Sequence, residues 1–165
     1  MSDAQSMSKL HIALFRGTSL VSRVIKWQTR SMYSHAAFYW PDTQTVVEAW
    51  HIGGVRQGCI HAAHTPGTIV DYYSVDLPEE RSEEEVYLWL MGQVGKAYDY
   101  RGVLKFISRR KAAIKEGKWF CSELVMSGCA HANVHLLLRI ANAEVSPGQV
   151  ALSPLLKAAG QVVTK

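Results

Sequence analysis

The hydrophobic pattern divides the chain into an N-terminal half of short apolar runs and a C-terminal half with helical spacing. Leu10 to Phe15 is a mostly apolar run that reads as a strand, and Arg16-Gly17-Thr18 breaks it. From Ser19 to Trp27 the apolar residues Leu20, Val21, Val24, Ile25 and Trp27 follow helical spacing, with Thr18 or Ser19 as N-cap. Ser34 to Trp40 is aromatic-rich and reads as a strand. Pro41-Asp42-Thr43 is turn chemistry, and Thr45 to Trp50 returns as the second arm of a hairpin. After Gly53-Gly54 a third strand is expected over Val55 to Cys59. His61 to Gly67 reads as loop and Thr68 to Val75 as a further β run, which implies a sheet of four or five strands.

Ser82 and Glu85 have capping-box spacing at the start of a helix whose stripe is Val86, Trp89, Leu90 and Val94. Gly95 to Gly102 is a break containing Tyr98-Asp99-Tyr100, and Val103 to Ile114 is expected to be a basic helix. A stronger helix runs from Cys121 to about Ala132, with Cys121, Leu124, Val125, Gly128 and Cys129 at i, i+3, i+4, i+7 and i+8. Leu136 to Ile140 is a short apolar segment. The tail from Ser153 to Lys165 is apolar enough to pack back on the rest. Strands first and helices after is an α+β arrangement.

Composition narrows the class. A chain of 165 residues with 48% hydrophobic and 19% charged residues suits one folded domain spanning 1–165. No apolar run approaches the roughly 20 residues a bilayer span needs. The polar stretch from Met1 to Lys9 lacks a secretory core, so a cytoplasmic protein is expected, or one delivered by a phage or by lysis. The net charge is +4, and much of it comes from Lys105 to Lys118, where six bases face only Glu116. This is either a solvated face or a patch for anionic lipid or cell-wall polymer; with Phe106 its one aromatic, nucleic acid is not an expected partner. The oligomeric state is not legible.

The three cysteines cannot form a complete disulfide framework. Cys121 and Cys129, eight residues apart on one helix, stand about 12 Å apart, too far to bridge. Cys121 falls at a helix start, where unpaired N–H groups and partial positive charge favour a thiolate and can cradle an oxyanion. That position alone does not separate a reactive cysteine from a buried structural one. Cys59 and Cys129 lack the advantage.

A cysteine nucleophile needs a base, and of seven histidines His35 sits well inside a strand. With a four-residue loop, Pro41 to Gln44, Trp40 pairs with Thr45, Ala37 with Glu48 and His35 with Trp50. Glu48 then shares the face of His35, one diagonal step away, close enough to orient its ring. A rival grouping, Cys59, His61 and His64 with His51 nearby, matches no known zinc spacing; these read as surface histidines, and neither metal nor cofactor is expected.

Six pieces in order carry a resemblance: Ser-Leu-Val-Ser-Arg-Val-Ile (19–25), Tyr-Ser-His (33–35), Val-Val-Glu-Ala (46–49), Gly-Lys-Ala-Tyr-Asp-Tyr (95–100), Phe-Cys-Ser-Glu-Leu-Val (120–125) and Ser-Pro-Gly (146–148). Together, from about Leu10 to Leu155, the chain resembles the YiiX-like group of circularly permuted papain-like enzymes in the NlpC-type superfamily of cysteine amidases. The resemblance implies a small antiparallel sheet packed on helices, with Cys121 as nucleophile, His35 as base, Glu48 as third member and Tyr98 as an oxyanion donor. It departs from the group at Lys9-Leu10-His11, where Gly-Asp is common. The expected activity is hydrolysis of an amide, possible cell-wall peptide included, through an acyl-enzyme. An esterase or acyltransferase acting on lipid, as in the similarly permuted lecithin retinol acyltransferase group, is the alternative, and a non-catalytic binding module is the third reading.

Overall fold

The computed structural model describes residues 8–62, 64–100 and 117–165. The elements are β1 (Lys9–Arg16), α1 (Leu20–Thr29), β2 (His35–Trp40), β3 (Thr45–Trp50), β4 (Gly54–Cys59), β5 (Ile69–Asp76), α2 (Glu83–Met91), β6 (Ala97–Tyr98), β7 (Lys118–Trp119), α3 (Cys121–His131), a 3-10 turn (Asn142–Glu144), the single turn α4 (Pro147–Val150) and β8 (Lys157–Val163). The expected basic helix over Val103 to Ile114, and the Lys105 to Lys118 stretch apart from Lys118 and Gly117, lie outside the described residues.

Six strands form one antiparallel sheet in the order β4-β3-β2-β1-β5-β8. This is more than the four or five expected. The sixth is the C-terminal tail, which does not merely pack back but pairs with β5, Ile69 opposite Val163. Its alternation is hidden because β8 is an exposed edge strand whose first five residues are small or polar, and only Val162 packs on the second cluster. A second, two-stranded parallel pair, β6 with β7, was not expected; two residues are too few to carry a period.

The meander follows the turn chemistry. Trp40 opposes Thr45, Tyr39 opposes Val46 and Phe38 opposes Val47, so the loop is Pro41 to Gln44. Alternation then sends Ala36 and Phe38 to one face and His35, Ala37 and Tyr39 to the other. The first face carries the larger core, where α2 and α3 bring Val86, Leu90, Leu124 and Val125 onto Ile12, Leu14, Ala36, Phe38, Val47 and Ala49. The second face holds a smaller cluster of Ala13, Phe15, Ala37, Tyr39, Val46, Ile60 and Val70.

Gly128 sets how closely α3 approaches β2. A Cβ there would lie 2.7 Å from ring atoms of Phe38, so only glycine lets the helix rest on that ring. Gly54 plays a similar part at the other edge: with φ +76, its missing side chain makes room for the Lys96 carbonyl, which accepts from Val55 N–H at 2.9 Å. That contact ties the Tyr98 segment to β4.

Helix starts behave as expected at two places. The Ser19 hydroxyl accepts from Ser22 N–H, and the Ser82 hydroxyl from Glu85 N–H, each at 3.1 Å. Glu85 turns instead to Arg81, at 2.6 Å, so its half of the box is taken by an ion pair. In α1 only Ile25 is buried, while Leu20, Val24 and Trp27 face solvent.

Candidate functional site

Glu48 stands in the middle of β3, a buried acid on the face that holds His35. His35 Nε2 meets Glu48 Oε2 at 2.6 Å, and His64 Nε2 meets the same oxygen at 3.1 Å. The other oxygen, Oε1, accepts from Arg56 Nη2 at 2.6 Å and Nε at 3.0 Å. Arg56 reaches it because β4 places Arg56 directly opposite Glu48. The carboxylate is thus met by three side chains from three segments.

Burial alone would push the Glu48 carboxyl up, but the hydrogen bonds from His35 and His64 and their charge outweigh it, and Glu48 is held well below the ordinary carboxylate range. Burial lowers the pKa of His35; Glu48 opposes this, and His64 and Arg56 add to it. An ionised carboxylate only accepts, so the neutral His35 ring carries its proton on Nε2, and Nδ1 holds the free lone pair. This is the tautomer a general base needs. Aromatic rings flank the imidazole: Phe15 and Trp50 lie 5.1 Å and 5.2 Å from the His35 ring, centroid to centroid.

Sequence reasoning missed Arg56, and it misplaced His64. His64 is not a surface histidine. It is buried, stacked on Phe15 with centroids 4.2 Å apart, and bonded to Glu48. The loop character of 61–67 concealed it; the one available signal was a histidine near a strand bearing a buried acid. The other members of the rival grouping do not join it. Cys59 is an exposed free thiol, and His61 accepts from the Lys165 N–H at the far end of the chain.

Cys121 is the first residue of α3, preceded by the N-cap Phe120. Phe120 has no side-chain acceptor to offer, and its own N–H donates to Glu123 Oε2 at 3.3 Å. The uncapped N–H groups are turned to use: those of Ser122 and Cys121, with that of Ala36 on β2, act on the sulfur and favour its thiolate. Burial is the stronger effect, however. Cys121 is 1% exposed, and its thiol is pushed up to about 12, with the Glu48 charge adding to the rise. The helix-start expectation of a lowered thiol is therefore reversed here. Cys129, buried mid-helix, is also pushed up to about 12.

The four expected residues form two groups. His35 and Glu48 are joined directly. Tyr98 lies beside Cys121, its hydroxyl raised well above the ordinary range by burial and then by the cysteine's charge. Between the groups stands the backbone of Ala36, the residue after His35, whose N–H serves the Cys121 sulfur. Among the described residues no hydrogen bond joins His35 to Cys121. The difference follows from the faces: α3 approaches on the Ala36 side, and the His35 ring turns to the Glu48 side.

His35 and Tyr98 also line one cavity of about 360 Å³, walled by Val21, Ile25, Ala49, Trp50 and Tyr100. An adjoining cavity of about 260 Å³ shares His35, Trp50 and His51 and extends to Phe15 and His64.

No family model matches the chain, and no curated protein does. Among solved structures, the chain is similar to the metalloprotein YiiX from Escherichia coli O157:H7 (DUF1105), at TM-score 0.63 and 18% identity, over 96% of this chain and 98% of that one. The shared feature is the fold: helices on a mostly antiparallel sheet, along nearly the full length of both chains.

Proposed function

We propose that the protein is a cysteine acyl-transfer hydrolase of circularly permuted papain-like type, with Cys121 as nucleophile and the His35–Glu48 pair as its base. The observation that carries this reading is the 2.6 Å bond from His35 Nε2 to Glu48, one residue before the Ala36 N–H that serves the Cys121 sulfur. A thiol that is un-ionised at neutral pH needs a base at the moment of attack, and His35 offers a free Nδ1.

In the proposed reaction, His35 takes the Cys121 proton as the sulfur forms a bond to the acyl carbonyl. The N–H groups at the start of α3 and the Tyr98 hydroxyl receive the oxyanion. The bond to the leaving amine or alcohol breaks, and that group takes the proton from His35. Water then attacks the thioester with His35 again as base, releasing the acid and restoring the thiol. The near-complete burial of Cys121 sets a condition: covering side chains must move before a carbonyl reaches the sulfur. A second condition comes from the faces: the His35 ring stands on the Glu48 side of β2 and Cys121 on the Ala36 side, so the ring must also turn toward the sulfur before the proton can pass.

The test is to incubate wild type and Cys121→Ala with muropeptides and with fatty-acyl esters and to follow products and intact mass. Turnover with an acyl adduct on wild type, absent from the variant, supports the reading. Equal turnover by both proteins rejects Cys121 as nucleophile, and no turnover or adduct with either substrate leaves the non-catalytic module.

The same side chains support a second reading, a metal site. His35, Glu48 and His64 each offer a ligand atom, and the three atoms lie within 4.8 Å of one another; the structurally similar YiiX is described as a metalloprotein. Two imidazoles and a carboxylate suit zinc by donor type. Their spacing does not fit: tetrahedral ligands of one zinc ion stand about 3.3 Å apart, whereas His35 and Glu48 are at hydrogen-bond distance, 2.6 Å. Arg56 also holds positive charge against the carboxylate. Elemental analysis of the purified protein, with His64→Ala as control, decides between proton and metal: stoichiometric metal lost in the variant would favour the second reading.

A further inference from the structure

Helix α1 wears its apolar stripe on the outside. Leu20, Val24 and Trp27, at i, i+4 and i+7, share one face, and they are 78%, 46% and 78% exposed. A surface helix ordinarily turns such a stripe to the core. Here the core contact is left to Ile25 alone.

Bases flank the stripe. Arg23 and Arg30 are exposed and Lys26 is half-buried, and no acid occurs anywhere from Gly17 to Pro41. The first turn holds no acid, and Lys26 lies in the last. A short helix with leucine, valine and tryptophan on one side and arginine and lysine beside them has the composition of a segment that lies in a lipid interface.

The same helix walls the larger cavity. Val21 and Ile25 line it from the α1 side, Tyr100 from the opposite side, and His35 and Tyr98 lie in its wall. Val21 is 65% exposed, so it reaches from the outer surface to the cavity lining.

We infer that the exposed face of α1 docks the protein on an anionic lipid bilayer and presents the acyl chain of a membrane lipid to the cavity beside His35 and Tyr98. The substrate class is then a long-chain acyl ester or amide rather than a cell-wall peptide. This part rests on the acyl-transfer reading; the docking itself does not. A second copy of the chain is a poorer occupant, because an isologous contact through this helix sets Arg23, Lys26 and Arg30 against their own counterparts with no acid to offset them. A bilayer containing anionic lipid answers both features at once: acyl chains for Trp27 and Leu20, headgroup phosphates for the bases.

The experiment measures sedimentation of the full chain with phosphatidylcholine vesicles, with and without phosphatidylglycerol. Four proteins are compared: wild type, Leu20→Ser/Trp27→Ser, Arg23→Glu/Lys26→Glu and Cys121→Ala. Leu20, Trp27 and Arg23 are solvent-facing and Lys26 is half-buried, so thermal melts of the double variants close to wild type are expected; melts of all four proteins verify folding. Wild type and Cys121→Ala are expected to bind the anionic vesicles alike, and both double variants to bind about tenfold more weakly or worse. High salt is expected to weaken wild-type binding. Mass spectrometry of the vesicle lipids then reads acyl release. Absent vesicle binding, equal binding to neutral vesicles, or double variants that bind like wild type would overturn the docking. So would a wild-type dimer in sedimentation velocity that Leu20→Ser/Trp27→Ser converts to monomer. Docking without acyl release or a Cys121 adduct would leave the surface standing and reject the catalytic reading instead.

Discussion

His64 and His35 reach the same oxygen of Glu48, at 3.1 Å and 2.6 Å. One carboxylate therefore orients two imidazoles, and only His35 adjoins the cysteine helix through Ala36. His64→Phe keeps a ring against Phe15 but removes one donor from a buried acid. It is expected to lower stability by about 1–3 kcal/mol and, on the acyl-transfer reading, to lower kcat several-fold with little change in KM. Glu48→Gln is expected to be far worse for turnover, about a hundredfold or more, because His35 loses the charge that stabilises its imidazolium. Urea melts and steady-state kinetics on both variants check the order.

Stability is expected to fall as the medium is acidified, in two stages. The folded-state pKa of His35 lies below its ordinary value of 6.5. The unfolded chain therefore binds the proton first, and stability drops as pH falls below that value. Glu48 is also depressed, so its contribution is present above the ordinary carboxylate pKa and is lost as pH falls through its lower folded value. Thermal melts across this range are expected to show both declines. Replacing His35 with Gln is expected to flatten the upper one.

Thiol accessibility gives a third measurement. Cys59 is exposed, whereas Cys121 and Cys129 are buried with thiols pushed up to about 12. Iodoacetamide at neutral pH is expected to modify Cys59 first and Cys121 only slowly. A substrate or inhibitor that opens the cover over Cys121 is expected to alter that slow rate without changing Cys129. Mass-resolved peptide mapping over time separates the three.

Gly128 is the packing test. Glycine inside an exposed helix is ordinarily worth about 1 kcal/mol less than alanine, so Gly128→Ala would stabilise α3 if space allowed. The Phe38 ring at 2.7 Å removes that space. The substitution is expected to destabilise by about 1–3 kcal/mol, and Phe38→Leu in the same chain to recover part of the loss. A double-mutant cycle by chemical denaturation measures the coupling.

Much of the sheet half was legible because turns and alternation specify register. The Pro41-to-Gln44 loop fixed the parity that places Glu48 with His35, and the register bears it out. Cys121 at a helix start was equally readable. Its chemical state was not: the pattern shows an N-terminus, but how deeply the sulfur is buried depends on how α3 packs on the sheet. His64 escaped for the same reason, since a loop histidine becomes a core residue only when Phe15 and Glu48 are brought beneath it. The α1 spacing was read correctly as helical; period alone does not say whether a stripe faces the core or the solvent.

The order of strands bears on how the chain assembles. His35, Glu48 and Arg56 all sit on the β2–β3–β4 meander, joined by the short loops 41–44 and 51–53, so their pairing closes between near neighbours in sequence. β8 is different: Gln161 reaches Asp71 across 90 residues and Thr68 reaches Thr164 across 96. Contacts of that separation are slow to form. The acid–base half of the candidate site is therefore expected to take shape early in folding, with the β5 edge open to other chains until β8 arrives to cover it.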